Sequence, residues 1–283
     1  MKIIISVFLM IVLVVSLRLD VDSLAMEIQN EAFDRAMLAF GLAKGLNAVI
    51  SLLQGTELSF TPVGIGMNFS IGEILDPFND LVERFSWVML FASVSLGIQK
   101  LVLILSAKLF VQVAFGVSVV ASLVLLWMKK MQGSMLLGYT LKAFLLLLLL
   151  RFSAIVFLFL SQFFYNSVLQ NEYETASKVI EQTKTELEAV SSQTSQIKQA
   201  QQSGFFSRLN AQYTGFSQSL NISTQLERLQ KSIEETSQKI ITLITVFTVQ
   251  SVILPLLYLW FLIGSVKAIF RVKYKKLVYN ILK

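Results

Sequence analysis

The sequence of 283 residues contains neither cysteine nor histidine. These absences exclude disulfide bonds, thiolate nucleophiles, histidine-ligated metal ions and histidine general bases. The sequence also lacks a glycine-rich loop placed before a helix, which a phosphate-binding loop requires. We therefore predict a non-enzymatic protein with no catalytic residues, no cofactor and no metal site.

Carboxylates are absent from two long stretches, residues 84–171 and every position after Glu235. All 18 acidic residues consequently fall in two blocks, 20–83 and 172–235. Basic residues cluster instead in short segments beside apolar stretches, namely Lys129, Lys130, Lys142, Lys267, Arg271, Lys273, Lys275, Lys276 and Lys283. Such segments usually mark the cytoplasmic side of a membrane, so the net charge of +6 does not predict nucleic-acid binding.

Apolar residues make up 55% of the chain, and its mean hydropathy is +0.68. Soluble domains contain about 45–50% apolar residues, so we predict an all-α integral membrane protein. The segments expected to cross the membrane are an N-terminal signal anchor at 1–18, then 109–128, 143–165 and 242–264. Residues 86–108 are interfacial or spanning, and 36–53 is a further candidate. The prediction is thus four transmembrane helices, or six if both of these segments cross.

Residues 19–85 are expected to form an extracytoplasmic helical unit. Asp20–Leu53 reads as one long helix, whose first part carries large apolar residues near helical spacing at Leu24, Ile28, Phe33, Met37 and Phe40. Alternating residues near 59–70 predict a short strand or hairpin, and Glu73–Arg84 predicts an amphipathic helix.

Two polar segments carry apolar residues in alternating steps of four and three, the spacing of a coiled coil. The first series is Leu169, Tyr173, Ala176, Ile180, Thr183, Leu187, Val190, Thr194 and Ile197. The second series is Ile222, Leu226, Leu229, Ile233, Thr236, Ile240 and Leu243. We predict an extracytoplasmic antiparallel coiled-coil hairpin at 166–241, either self-sufficient or completed by a partner or a second copy. Residues 265–283 are expected to form a basic amphipathic cytoplasmic tail.

Nine side chains are candidate functional residues. Five large apolar residues at the predicted tip of the hairpin are candidate partner contacts: Phe205, Phe206, Leu209, Tyr213 and Phe216. An alternative is that they pack a short tip helix onto the arms. Four polar residues within apolar segments are candidate intramembrane sites: Lys100, Arg151, Gln162 and Gln250.

Arg151 is expected to lack an acidic partner within the membrane and to extend its guanidinium to the cytoplasmic headgroups. Gln162 and Gln250 are expected to hydrogen-bond to each other between the two helices that anchor the hairpin.

These patterns favour a non-enzymatic scaffold or assembly protein that presents its hairpin to envelope partners or to another copy of itself. The alternative is an oligomeric channel, with residues 86–128 lining the pore and Lys100 or Arg151 favouring anions. The expected partners are the lipid bilayer and a protein or second copy bound through the hairpin, but no nucleic acid. The expected location is a bacterial inner membrane, with several spans and a periplasmic hairpin.

Overall fold

A computed structural model of the protein describes residues 2–18, 21–54, 59–60, 67–68, 71–128, 134–202 and 205–272. Only the backbone is described at 17–18, 59–60, 67–68, 71–74, 193–202 and 205–226. Two short strands, β1 Ser59–Phe60 and β2 Met67–Asn68, pair antiparallel in the region where the sequence predicted a hairpin. The rest of the described chain is almost entirely helical.

The helices are α1 Lys2–Arg18, α2 Val21–Gln54, α3 Ile71–Ser106, α4 Leu109–Trp127, α5 Met135–Phe164, α6 Gln170–Gln202, α7 Phe205–Thr248 and α8 Leu254–Arg271. Short π-helical segments join α5 to α6 at Tyr165–Leu169 and α7 to α8 at Val249–Ile253. Among the described residues, five helical stretches are long and apolar enough to cross a membrane, and Lys2–Ser16 is a shorter apolar helix. These are the features of a multi-pass membrane protein.

The helix boundaries differ from the predicted domain boundaries in two places. Helix α3 runs without a break through residue 86, where the sequence placed the end of the extracytoplasmic unit. Helix α7 runs on through the second π segment into α8, so the predicted border between the hairpin and the last span at 241–242 lies inside a helix. Hydropathy changes at these positions, but a helix needs no break there because both of its halves have good helix-forming residues.

The chain separates into two compact units. The first unit contains Met1–Asp34, Val94–Asn166 and Gln250–Lys283, and the second contains Arg35–Ser93 and Ser167–Val249. The predicted unit at 19–85 is therefore divided, because the first turns of α2 pack with the apolar helices.

In the first unit, α1 and α2 run in the same direction. Helix α1 is antiparallel to α4, since Trp127 donates to Ser6 and Leu13 lies beside Gly116. Helix α4 in turn forms a helical hairpin with α5, so α1 is parallel to α5. Helix α2 is also parallel to α5, as shown by the contacts of Asp22 with Arg151 and of Glu31 with Gln162. The chain therefore does not reverse between α1 and α2.

Helices α3 and α4 likewise run in one direction, opposite to α5. Gln29 of α2 bonds to Leu96 of α3, and Asp22 lies level with Ser106, so α3 is antiparallel to α2. Helix α8 is also antiparallel to α5, because Ser153 bonds to Tyr258 and Lys142 donates to the carbonyl oxygen of Phe270. The first unit thus contains four helical stretches of alternating direction: α1 with the start of α2, the end of α3 with α4, α5, and α8.

The core of the first unit consists of two apolar clusters. One is centred on Phe115 and Phe144, whose ring centroids lie 5.8 Å apart, and includes Leu9 and Val119. The other contains Ala25, Leu103, Ile155 and Leu158. Together they fasten α1, α2, α3 and α4 to α5.

Helices α2 and α3 carry buried seams that the sequence analysis did not identify. In α2 the buried residues other than Val49 follow strict 4-3 steps: Ala25, Gln29, Ala32, Ala36, Ala39, Ala43, Leu46, Ile50 and Leu53. In α3 the series is Leu75, Phe78, Val82, Phe85, Met89, Ala92, Leu96 and Leu103. Two of the large apolar residues noted for their helical spacing, Leu24 and Met37, lie outside this seam and are 54% and 44% exposed. Alanine lets helices approach closely, so the small residues of α2 occupy the interface instead.

In the second unit, α6 and α7 pack antiparallel. Tyr173 contacts Phe247, Thr183 contacts Thr236 and Ser232 bonds to Glu186, so one residue number rises as the other falls. The predicted seam residues whose side chains are described are mostly buried: Leu169, Ala176, Ile180, Thr183, Leu187, Leu229, Ile233, Thr236, Ile240 and Leu243. Helix α2 packs beside this pair, since a Cβ added at Gly45 would lie 3.0 Å from Cε of Lys184.

Candidate functional site

Arg151 lies in the interior of the first unit, with 2% of its surface exposed. Its Nη1 donates to Oδ1 of Asp22 at 2.6 Å, and its Nη2 donates to the other carboxylate oxygen. Nη1 also lies 3.5 Å from the carbonyl oxygen of Ser106. The expectation that Arg151 lacks an acidic partner and extends to the headgroups was wrong. Asp22 belongs to the predicted extracytoplasmic unit, but α2 runs beside α5 and carries the carboxylate to the guanidinium.

The ion pair joins the ends of two helices. Asp22 is in the first turn of α2, where unpaired N–H groups create a positive potential. Ser106 is the last residue of α3, where unpaired carbonyl groups create a negative one. The carboxylate and the guanidinium therefore each sit at the helix end that stabilises their charge.

The surroundings of this pair are apolar. Arg151 lies about 24 Å from the start of α5 and about 20 Å from its end, at 1.5 Å per residue. Its Cζ is 5.7 Å from the ring centroid of Phe152, and its Nε has no hydrogen-bond partner among the described residues. Burying a charge in such surroundings is costly unless it is paired, so each residue depends on the other.

Gln162 contacts α2 and a residue of its own helical stretch. Nε2 of Gln162 lies 3.4 Å from Oε2 of Glu31 and 3.2 Å from Oδ1 of Asn166. Gln250 is 3% exposed, and its Oε1 has no partner among the described residues. The expected bond between the two amides stays a prediction.

Lys100 lies against α2. Its Nζ is 5.8 Å from the ring centroid of Phe33, and the same ring approaches Gly97. The side chain is half-buried, and no ion pair with a described residue is formed. Lys100 is therefore a cation within an apolar helix, and its ammonium group lies against an aromatic ring.

A polar bond compensates for Pro255 near the start of α8. Proline has no N–H, so Pro255 cannot donate to the carbonyl of Ser251 four residues earlier. Oγ of Ser95, on α3, donates to this carbonyl at 2.6 Å. The adjacent residue Leu96 accepts a 2.7 Å bond from the buried side chain of Gln29. Two neighbouring residues of α3 thus fasten α2 and the second π segment.

The tip candidates lie in the first turns of α7, which begins at Phe205. The backbone there is helical, and the side chains of Phe205, Phe206, Leu209, Tyr213 and Phe216 lie outside the described part of the chain. Their role as partner contacts therefore stays a prediction.

A polar layer crosses the seam between α6 and α7. Oγ1 of Thr183 lies 2.6 Å from Oγ1 of Thr236 and 3.2 Å from Oγ of Ser232, which donates to Glu186. Both threonines are almost fully buried. Buried polar pairs of this kind fix the register of paired helices, because any shift leaves the hydroxyls without partners.

Tyr173 lies at the base of the same pair of helices. Its ring packs edge-on against Phe247, with centroids 5.9 Å apart. Burial raises the pKa of its hydroxyl above the ordinary value of 10.0. The side chain consequently stays neutral at physiological pH and acts in packing.

The sequence analysis missed Asp22, Ser95, Ser106 and the alanine seam of α2. The 4-3 spacing of the alanines is visible in the sequence and was passed over in favour of larger residues. The partners of Arg151 and of the Ser251 carbonyl have no sequence signal, because they come from distant segments. Among the residues that the structure describes, no group of three or more potential metal ligands occurs.

The buried polar groups described above contact one another and backbone carbonyls, an arrangement that holds helices in register. No protein family model, curated protein or solved structure matches this chain, so its function has to be argued from these contacts.

Proposed function

We propose that the protein is a non-enzymatic membrane scaffold of a bacterial inner membrane. Its α6–α7 pair is an antiparallel coiled-coil hairpin on the extracytoplasmic side, and the tip of the hairpin binds envelope partners or another copy. The observation that carries this proposal is the reach of the two arms beyond the helix that packs on their base.

That reach follows from the register of α2 on α6. Gly45 of α2 lies beside Lys184, and α2 ends at Gln54, about 14 Å further along at 1.5 Å per residue. Helix α6 continues from Lys184 to Gln202, about 27 Å. The arms therefore extend about 13 Å past the end of α2, and we infer that a partner binds this distal part.

The sidedness rests on charge. The bonds between Trp127 and Ser6 and between Lys142 and Phe270 place the starts of α1 and α5 and the ends of α4 and α8 at one end of the first unit. Lys129, Lys130 and the basic tail follow those helix ends in the sequence. The positive-inside rule assigns this end to the cytoplasm, and the hairpin to the opposite side.

Photo-crosslinking in native membranes tests the proposal. A photoreactive residue in place of Phe206 should give a discrete crosslinked species. The same residue in place of Glu181 should give none, because Glu181 is exposed but lies on the part of α6 beside which α2 runs. Replacing all five large apolar tip residues by serine should remove the species and leave membrane insertion intact. Persistence of the species in that variant would contradict the proposal.

Of the two cations on which the channel alternative was based, only Lys100 still supports it. Arg151 is paired with Asp22, so its charge is compensated and cannot attract anions into a pore. Lys100 can still attract anions into a pore. Conductance in a planar bilayer that changes on Lys100→Glu would favour a channel, and absence of conductance would exclude it.

A further inference from the structure

We propose that the outward face of α2 and the adjacent α3 form an interface between two copies of the protein side by side in the membrane. In this dimer, Glu27 of each copy meets Lys100 of the partner subunit. The interface belongs to the first unit, so it does not depend on the role proposed for the hairpin.

The outward face of α2 is acidic. Glu27, Glu31 and Asp34 follow each other at steps of four and three, and all three are exposed. The depth of this face is set by neighbouring contacts, since Gln29 bonds to Leu96 of α3 and Glu31 contacts Gln162 of α5.

The other helices present apolar side chains at the same depth. On α3, Ile98 and Leu101 are 57% and 60% exposed. On α5, Leu160 and Phe163 are 63% and 72% exposed. If this level lies in lipid, the carboxylates are in an unfavourable medium. If it lies in water, the exposed apolar side chains are in an unfavourable medium. One face at this level is therefore covered by another molecule.

Lys100 identifies that molecule as a second copy. Because α2 and α3 are antiparallel, with Gln29 beside Leu96 and Asp22 level with Ser106, Lys100 lies at nearly the depth of Glu27. Among the described residues of the same chain, neither Lys100 nor Glu27 forms an ion pair. Each copy thus carries one unsatisfied cation and one unsatisfied anion at the same level.

A two-fold axis along the membrane normal satisfies both charges. This symmetry keeps the two copies in the same membrane orientation and places α2 of one against α3 of the other at equal depth. Glu27 then faces Lys100 of the partner subunit twice, and the apolar surface around Leu101 and Leu105 packs between them.

Crosslinking between two differently tagged copies tests the interface, because the native chain has no cysteine. One copy carries Ser23→Cys and the other Leu105→Cys, two exposed positions at the depth of the Asp22–Ser106 contact. Any disulfide joining the two tags is intermolecular. We expect this disulfide to form in native membranes, and we expect Leu256→Cys on α8 paired with Ser23→Cys to give none.

Charge reversal supplies the decisive comparison. Glu27→Lys or Lys100→Glu, present in both copies, should lower the crosslinked fraction on the order of tenfold, because like charges then face each other. Combining both reversals should restore it, and Lys231→Glu on the exposed surface of α7 should have no effect. If neither single reversal lowers the yield, or if the yield is no higher than for the α8 control, the proposal is overturned. Restoration by the double reversal also distinguishes an ion pair from simple misfolding of the single variants.

Discussion

Asp22 and Arg151 form an ion pair in an apolar interior. Neither charge would be stable there without the other. The side chain of Arg151 is 3% exposed and that of Asp22 is 24% exposed, so burial removes most of the water around the pair. Desolvation of two charges offsets most of their attraction, and the pair adds little net stability compared with apolar residues. Its effect is to fix the start of α2 and the end of α3 at one depth beside α5.

Removing one member of the pair should be far more damaging than removing both. Asp22→Asn or Arg151→Gln should lower the free energy of unfolding by about 3–5 kcal/mol, because an unpaired buried charge remains. Asp22→Ala combined with Arg151→Leu should cost less than either single change. Exchanging the residues should not restore stability, since arginine would then face the positive end of α2.

Denaturation of the purified protein in mixed micelles measures these differences. The exposed Lys184–Glu188 pair on α6 is a suitable control, and Glu188→Gln should change stability by less than about 1 kcal/mol. Equal losses for the single and double variants at Asp22 and Arg151 would show that the charges are not coupled.

At the scale of elements, the buried faces of neighbouring helices complement each other in size and polarity. Helix α2 contributes alanine at four successive positions of its seam, from Ala32 to Ala43. Helix α3 contributes large residues such as Phe78 and Phe85. Between α6 and α7 the Thr183–Thr236 layer interrupts the apolar seam and selects one register.

The threonine layer predicts non-additive effects of valine substitution. Thr183→Val alone should cost about 1–3 kcal/mol, because it leaves the buried hydroxyl of Thr236 without its 2.6 Å partner. Substituting both threonines should cost less than the sum, since the two valines fill the same space without polar atoms. Thermal unfolding checks this, with Thr185→Val on the exposed side as the control. Strict additivity would argue against the hydroxyl pair.

The alanine seam predicts a strong dependence on side-chain size. Ala43 is fully buried and Ala48, five residues later on the same helix, is exposed. Ala43→Leu should destabilise the protein by about 1–3 kcal/mol through overpacking, and Ala48→Leu should be nearly neutral. Unfolding curves of the two variants give the comparison. If neither leucine variant were destabilised, the alanine seam would not be closely packed.

For the molecule as a whole, we predict four membrane passes. Among the described residues, five helices are long and apolar enough to cross, and α1 is a shorter apolar helix. In the first unit α1 and α2 run in the same direction, as do α3 and α4, so we expect each of these two pairs to make a single pass. An even number of passes would put the basic segments near both ends of the sequence on one side, as the positive-inside rule requires.

Cysteine accessibility tests this arrangement. With an impermeant maleimide on intact cells, Ser203→Cys should be labelled, and Ser134→Cys and Ser265→Cys should react only after the membrane is opened. Ala107→Cys, between α3 and α4, should stay unlabelled in both cases because Ser106 lies midway along α5. Labelling at position 107 would mean that α3 and α4 cross separately, and labelling at 134 in intact cells would mean an inverted orientation.

The sequence by itself determined the helical character, the apolar segments and the seam of α6 and α7, because hydropathy and 4-3 spacing are local properties that each segment carries alone. It did not determine which acid pairs with Arg151, which donor reaches the carbonyl near Pro255, or that α1 and α2 run in the same direction. These features depend on contacts between residues as far apart as 22 and 151. Only the tertiary structure decides such contacts, because the direction in which a helix leaves a short break is set by the surfaces available for packing.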